Sequence, residues 1–165
     1  LLGWGLQAVD LHGIDLDPER LEAARAAFPA ADLRVGDATE LPWAGGRFRL
    51  VIASTVFSSI LDESVRAEVA REIVRVLVPG GAVLWYDFAR DNPANPNVRG
   101  VRRGEIRRLF GELKGPIRWV TLAPPLARAV APRSLVLATA LEAVPWLRTH
   151  LVAVLVKSER ESRSG

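Results

Sequence analysis

Cysteine and methionine are both absent from the 165 residues, and histidine occurs only as His12 and His150. Without cysteine there is no disulfide and no thiolate metal site, and two isolated histidines do not make a histidine-rich metal centre. Lysine is nearly absent too, with Lys114 and Lys157 the only two among 22 basic residues. The sequence pI near 10.1 is therefore carried by arginine, although the net charge is only +3. No run of about 18 apolar residues is free of charge and proline, and no basic-then-apolar leader opens the chain, which points to a cytoplasmic protein without a membrane span. Arg102, Arg103, Arg107 and Arg108 have no aromatic residues interleaved among them, so a nucleic-acid surface is not favoured. With no methionine the chain has no start residue, and the expectation is a fragment of a longer protein.

Hydrophobic residues make up 49% of the chain, enough for one domain with a sizeable core over residues 1–157. The polar end "KSERESRSG" reads as a disordered tail over 158–165. Between these limits strands alternate with helices. "DLHGIDL" reads as a short strand ending near Asp15, followed by a helix with Asp17 as N-cap, Pro18 in its first turn, and Leu21, Ala24 and Phe28 on one face. "ADLRVGDA" reads as the next strand, and "RFRLVIAST" as a buried one. Asp62 is placed to cap a helix bearing Val65, Val69, Ile73 and Leu77, ended by Pro79-Gly80-Gly81. "AVLWYDF" is a further strand. Such alternation means α/β architecture, a parallel sheet covered on both faces, with ligands at the carboxyl ends of the strands. A carboxylate just past a strand end can accept from the two hydroxyls of a ribose, and Asp15 is placed for that.

The segments "GIDLDPERLEAAR", "VGDATELPW", "FRLVIASTVFSSI" and "RVLVPGGAVLWYDF", in that order and spacing, resemble the class I S-adenosylmethionine-dependent methyltransferases, closest to the bacterial group that includes the ubiquinone and menaquinone methyltransferases. The resemblance covers about residues 9–88, with a weaker echo to 157. It implies a three-layer Rossmann-like methyltransferase fold, mostly parallel, with an antiparallel last strand at "THLVAVLVK". Its cofactor is S-adenosyl-L-methionine. Asp15 resembles the acid that binds the ribose, Leu16 the apolar residue on the adenine face, and Asp37 the acid that takes the adenine amino group. The Ala38 N–H resembles the donor to a ring nitrogen, and Ser54 and Thr55 the lining of the methionine end. Read from residue type alone, Asp37 also suits a turn after Gly36, and Ser54 and Thr55 an ordinary loop. The family's first strand and glycine-rich loop are missing from these residues. Arg49 stands where the family usually has an acid.

Beyond Asp87 the family pattern thins. "ARDNPANPNVRG" follows a strand, where Asn92, Asn95, Asn97 and Arg99 could position a small-molecule methyl acceptor or simply form a surface turn. "VRRGEIRRLFGELKG" reads as a helix with Ile106, Leu109 and Phe110 inward, and "GPIRWVTLA" as a strand. Residues 124–148 then far exceed what a tight hairpin needs, with Leu137, Leu141 and Val144 on one helical stripe. This insertion could cover the cleft, pair with a second copy as a homodimer, touch a membrane surface, or pack on its own sheet. In-line methyl transfer needs alignment and exclusion of water more than acid or base groups. Where a hydroxyl is the nucleophile a base would help, and Asp87 and His150 are the candidates. O-methylation is the expected reaction. The alternatives are a nicotinamide-dependent oxidoreductase and a non-catalytic methyltransferase-like binding protein.

Overall fold

A computed structural model describes residues 5–91 and 95–159. The chain divides into two compact units, Leu1–Trp43 and Ala44–Gly165. Most of the expected tail, from residue 160 onward, lies outside the described residues.

The first unit is built on two parallel strands, β1 (His12–Asp15) and β2 (Asp32–Val35), joined by helix α1 (Pro18–Ala27). α1 starts where the sequence indicates. The Asp17 carboxylate accepts the Glu19 N–H at 2.9 Å and that of Arg20 at 3.4 Å, and Pro18 fills the first turn. Asp32 gathers the unit around one carboxylate: Arg34 donates twice, at 2.7 and 2.8 Å, and Trp43 Nε1 and His12 Nδ1 each lie at 3.0 Å. The guanidinium of Arg34, and then the Trp43 indole, hold this carboxyl well below the usual carboxylate range.

The second unit carries a five-stranded sheet. β3 (Phe48–Ser54) pairs in parallel with β4 (Leu77–Phe88), and β4 pairs with the antiparallel β7 (Arg148–Lys157). The far side of β7 is lined first by the short β5 (Leu113–Lys114) and then by β6 (Ile117–Leu122), both antiparallel to it. Only β7 runs against the others, so the sheet is open and mostly parallel in strand direction, with the antiparallel last strand where it was expected. β5 had no signal in the sequence. The break after it depends on Gly115, because a Cβ there would collide with the Val154 carbonyl.

Helix α2 (Glu63–Val76) is capped by Asp62, whose carboxylate takes the Ser64 N–H at 2.7 Å. It ends at Val76, earlier than the Pro-Gly-Gly signal suggested, and β4 begins at Leu77. Lys157 closes the helix end by donating to the carbonyls of Val74 and Leu77 at 2.7 and 2.9 Å. With α3 (Arg103–Leu109), α2 covers one face of the sheet, and Val69, Ile73, Ile106, Phe57, Trp85 and Phe110 are buried there. The opposite face is more open: Leu50, Ile52, Val154 and Val156 are 40–46% exposed. The expectation that "RFRLVIAST" is a buried strand is thus corrected. β3 lies at the edge of its sheet, with β4 as its neighbour on one side only.

Between β6 and β7 the insertion folds into α4 (Pro124–Val130), α5 (Leu135–Glu142) and a single 3-10 turn at Pro145–Leu147. No helix among the described residues is long and apolar enough to cross a membrane.

Candidate functional site

Within the first unit, Asp15 ends β1 and Asp37 follows β2 by two residues. The strands pair Asp15 with Val35, and the Gly36 N–H donates to the Asp15 carbonyl at 3.0 Å, so both acids sit at the same carboxyl edge. Asp15 Oδ1 accepts the Asp17 N–H at 2.9 Å, which fixes its rotamer, while Oδ2 has the exposed Arg20 at 3.6 Å. Leu16, next in the chain, is 70% exposed, an apolar side chain presented to whatever Asp15 binds. Asp37 Oδ1 takes the Thr39 N–H at 2.8 Å. That bond, with one from the Thr39 hydroxyl, lowers its carboxyl below the ordinary range and keeps it an acceptor. The Ala38 N–H has no protein acceptor among the described residues. The set therefore comprises two carboxyl groups, one free N–H donor and one bare apolar side chain, arranged along a single strand edge. It suits an adenosine, whose hydroxyls and amino group donate, whose ring nitrogens accept, and whose base has an apolar face.

In the second unit, Ser54 ends β3 and Thr55 follows it with φ 53°, an unusual backbone for a β-branched residue. The strain is held by two contacts: the Thr55 N–H donates to the Tyr86 carbonyl at 2.8 Å, and Ser59 Oγ donates to the Thr55 carbonyl at 3.4 Å. Such strain costs about 1–3 kcal/mol and gathers where the surroundings over-determine the backbone, often at ligand sites. Asp87, 1% exposed, braces the same turn from β4. Its Oδ2 accepts the Ser58 N–H at 3.0 Å, and its Oδ1 accepts the Phe88 N–H at 2.8 Å.

His150, 4% exposed, stacks on Tyr86 with centroids 5.0 Å apart and lies tilted against Phe88 at 4.1 Å. Nδ1 meets Thr149 Oγ1 at 3.0 Å. Burial lowers its pKa and the nearby Asp87 charge partly opposes the shift. It is therefore a neutral imidazole near pH 7.

Asn92 lies outside the described residues. Asn95 Oδ1 accepts the Asn97 N–H at 3.1 Å, closing a turn. Arg99 is held by Glu63 at 2.8 Å and Glu105 at 3.0 Å, and its N–H donates to the Ser58 carbonyl at 2.9 Å. The residue that organises this region is Arg66, which has no solvent exposure and carries no signal in the sequence beyond its register with Val69 and Ile73. It donates to the Ile60 carbonyl at 2.6 Å, to Glu105 at 2.6 Å and to the Arg99 carbonyl at 3.0 Å. One guanidinium thus ties the loop before α2, the loop after β4 and helix α3 together.

Residues 3–81 match the family model described as "Methyltransferase domain". A probable S-adenosylmethionine-dependent methyltransferase of Mycolicibacterium smegmatis is 30% identical over 106 residues, covering 59% of this chain and 40% of the relative. Norajmaline N-methyltransferase of Rauvolfia serpentina is 25% identical over 132 residues, covering 70% of this chain and 44% of that enzyme. The chain thus spans less than half the length of these curated relatives. Among solved structures, a methyltransferase from Methanosarcina mazei superposes with a TM-score of 0.64 at 14% identity, over 92% of this chain and 85% of its own. The chain thus has the Rossmann-like fold of S-adenosylmethionine-dependent methyltransferases, and its residues 3–81 match the methyltransferase-domain family model.

Proposed function

We propose that the protein transfers a methyl group from S-adenosyl-L-methionine to a small-molecule acceptor, with an oxygen nucleophile, in the cytoplasm. The observation that carries this reading is the shared strand edge of Asp15, Leu16, Asp37 and Ala38, bound together by the Gly36 to Asp15 hydrogen bond. Asp15 would accept from the ribose hydroxyls, Asp37 and the Ala38 N–H would take the two sides of the adenine edge, and Leu16 would cover its face.

The bound cofactor supplies an electrophilic methyl group on a good leaving group. The chain's own task is then to orient the acceptor and exclude water. Asn95 and Asn97 are the side chains we assign to the acceptor, with Arg99 holding their loop. Asp87 would act on this turn by fixing Ser58, since both of its oxygens already accept backbone N–H groups. His150, neutral through burial, is the candidate to receive a hydroxyl proton.

Calorimetry of the full-length protein with S-adenosylhomocysteine tests the cofactor assignment. Asp15→Ala should weaken binding by roughly 1.5–3 kcal/mol, because it removes charge-assisted hydrogen bonds, and Asp37→Ala by a similar or smaller amount. Unchanged affinity in both variants would refute the assignment.

A further inference from the structure

Helix α5 is apolar yet stands in solvent. Leu135 is 74% exposed, Val136 82% and Leu137 50%, and Trp146, in the turn that follows, is 75% exposed. The two polar side chains of α5, Thr139 and Glu142, are exposed but already bonded within the protein. Thr139 Oγ1 donates to the Leu135 carbonyl at 2.9 Å, and Glu142 Oε1 accepts the Thr121 N–H at 3.2 Å. The first turn of α5 thus offers hydrocarbon to solvent, and an apolar patch of this kind is normally covered.

The charge around it is one-sided. Residues 115–148 hold Arg118, Arg128, Arg133 and Arg148 against the single acid Glu142, a net +3 equal to that of the whole chain. Arg133 directly precedes the N-cap Ser134 and is anchored to the end of α4 by its bond to the Ala129 carbonyl at 2.6 Å, while Arg128 is exposed on the last turn of α4.

A second copy of the chain fits this tip poorly. Burying these four apolar side chains completely on both copies would remove on the order of 1,000 Å², short of the roughly 1,200–2,000 Å² of a stable interface. A lipid surface needs no complementary shape. It takes a few inserted apolar side chains, an indole at the boundary and arginines at the headgroups.

We propose that the α4–α5 insertion docks on an anionic lipid surface, with Leu135, Val136, Leu137 and Trp146 entering the apolar layer and Arg128 and Arg133 meeting headgroup phosphates. β6 runs in the same direction as β4, and Leu122 pairs with Arg148 two residues from the Phe88–His150 pair. The insertion therefore leaves the sheet at its carboxyl edge, and docking turns that edge toward the lipid.

The test is co-sedimentation of the full-length protein with vesicles of phosphatidylcholine mixed with phosphatidylserine, against phosphatidylcholine alone, with sedimentation velocity in the absence of lipid. Binding should favour the anionic vesicles and weaken with added salt. It should fall about tenfold or more in Val136→Asp with Trp146→Ser, and by roughly tenfold in Arg128→Ser with Arg133→Ser. All four positions are exposed, so the variants should keep the wild-type circular dichroism. No vesicle binding, or binding that the variants leave unchanged, would overturn the proposal. A lipid-free dimer that Val136→Asp dissociates would instead assign the face to a second copy.

Discussion

His150 shows how a residue visible in the sequence takes its chemistry from its surroundings. Sandwiched against Tyr86 and Phe88, it resists protonation, since burial disfavours the imidazolium more than Asp87 favours it. Its folded pKa therefore lies below the unfolded value of about 6.5. The unfolded chain then binds more protons as pH falls through this region, so stability is present above the unfolded pKa and is lost below it. Urea unfolding of the full-length protein at roughly pH 7.5 and 5.5 should show a drop in stability that His150→Asn reduces. An identical drop in the variant would mean that other groups carry the acid sensitivity. Asp15, Asp17 and Asp37 were legible because strand ends, caps and turns are local patterns. Arg66 was not, because an arginine in register with Val69 and Ile73 looks like the rim of an apolar stripe. Only the arrival of the Ile60 and Arg99 carbonyls and of Glu105 makes a buried guanidinium tolerable there.

At the scale of elements, β6 explains how this unit handles an exposed strand. Its outward backbone groups are met by side chains: Arg103 donates to the Ile117 carbonyl, Arg148 to the Trp119 carbonyl at 3.0 Å, and Glu142 accepts the Thr121 N–H. Arg148 also donates to the Glu142 carbonyl at 2.6 Å, so one residue seals the edge and holds the end of α5. A groove of about 490 Å³ runs along this edge, and two of its three lining arginines, Arg103 and Arg148, are already engaged with backbone. Arg148→Ala should lower stability by about 1–3 kcal/mol and free the edge for strand pairing, seen as increased light scattering below the unfolding transition. Unaltered scattering and stability would show that the edge is protected by other means. The methyltransferase resemblance supplied the antiparallel sense of β7, and periodicity made β1, β2, β4, β7, α1 and α2 readable in advance. It could not reveal β5, which depends on Gly115 approaching the Val154 carbonyl, nor the exposure of α5, since the stripe of Leu137, Leu141 and Val144 says what is apolar and not what covers it.

For the molecule as a whole, the sheets are informative where they stop. Among the described residues β1 pairs with β2 alone, and β3 with β4 alone, although the run from Leu50 to Ala53 has the continuous apolar character of a strand covered on both faces. Edge groups that reach water keep hydrogen-bond partners, so the larger cost lies in the side chains. Leu50, Ile52, Val154 and Val156 each retain 40–46% of their surface in solvent, which forgoes about 1 kcal/mol apiece of burial. Against a typical total stability of about 5–15 kcal/mol, losses of this size on one face are substantial. The free edge of β3, flat and apolar, is also a template for pairing with another chain. Residues 1–165 expressed by themselves should therefore aggregate or unfold without cooperativity, and should show neither methyl transfer nor measurable S-adenosylhomocysteine binding. A scanning calorimetry experiment decides this. A single cooperative transition whose midpoint rises with added S-adenosylhomocysteine would show that the exposed edges and the open face are tolerated, and that Asp15, Leu16, Asp37 and Ala38 bind the nucleoside.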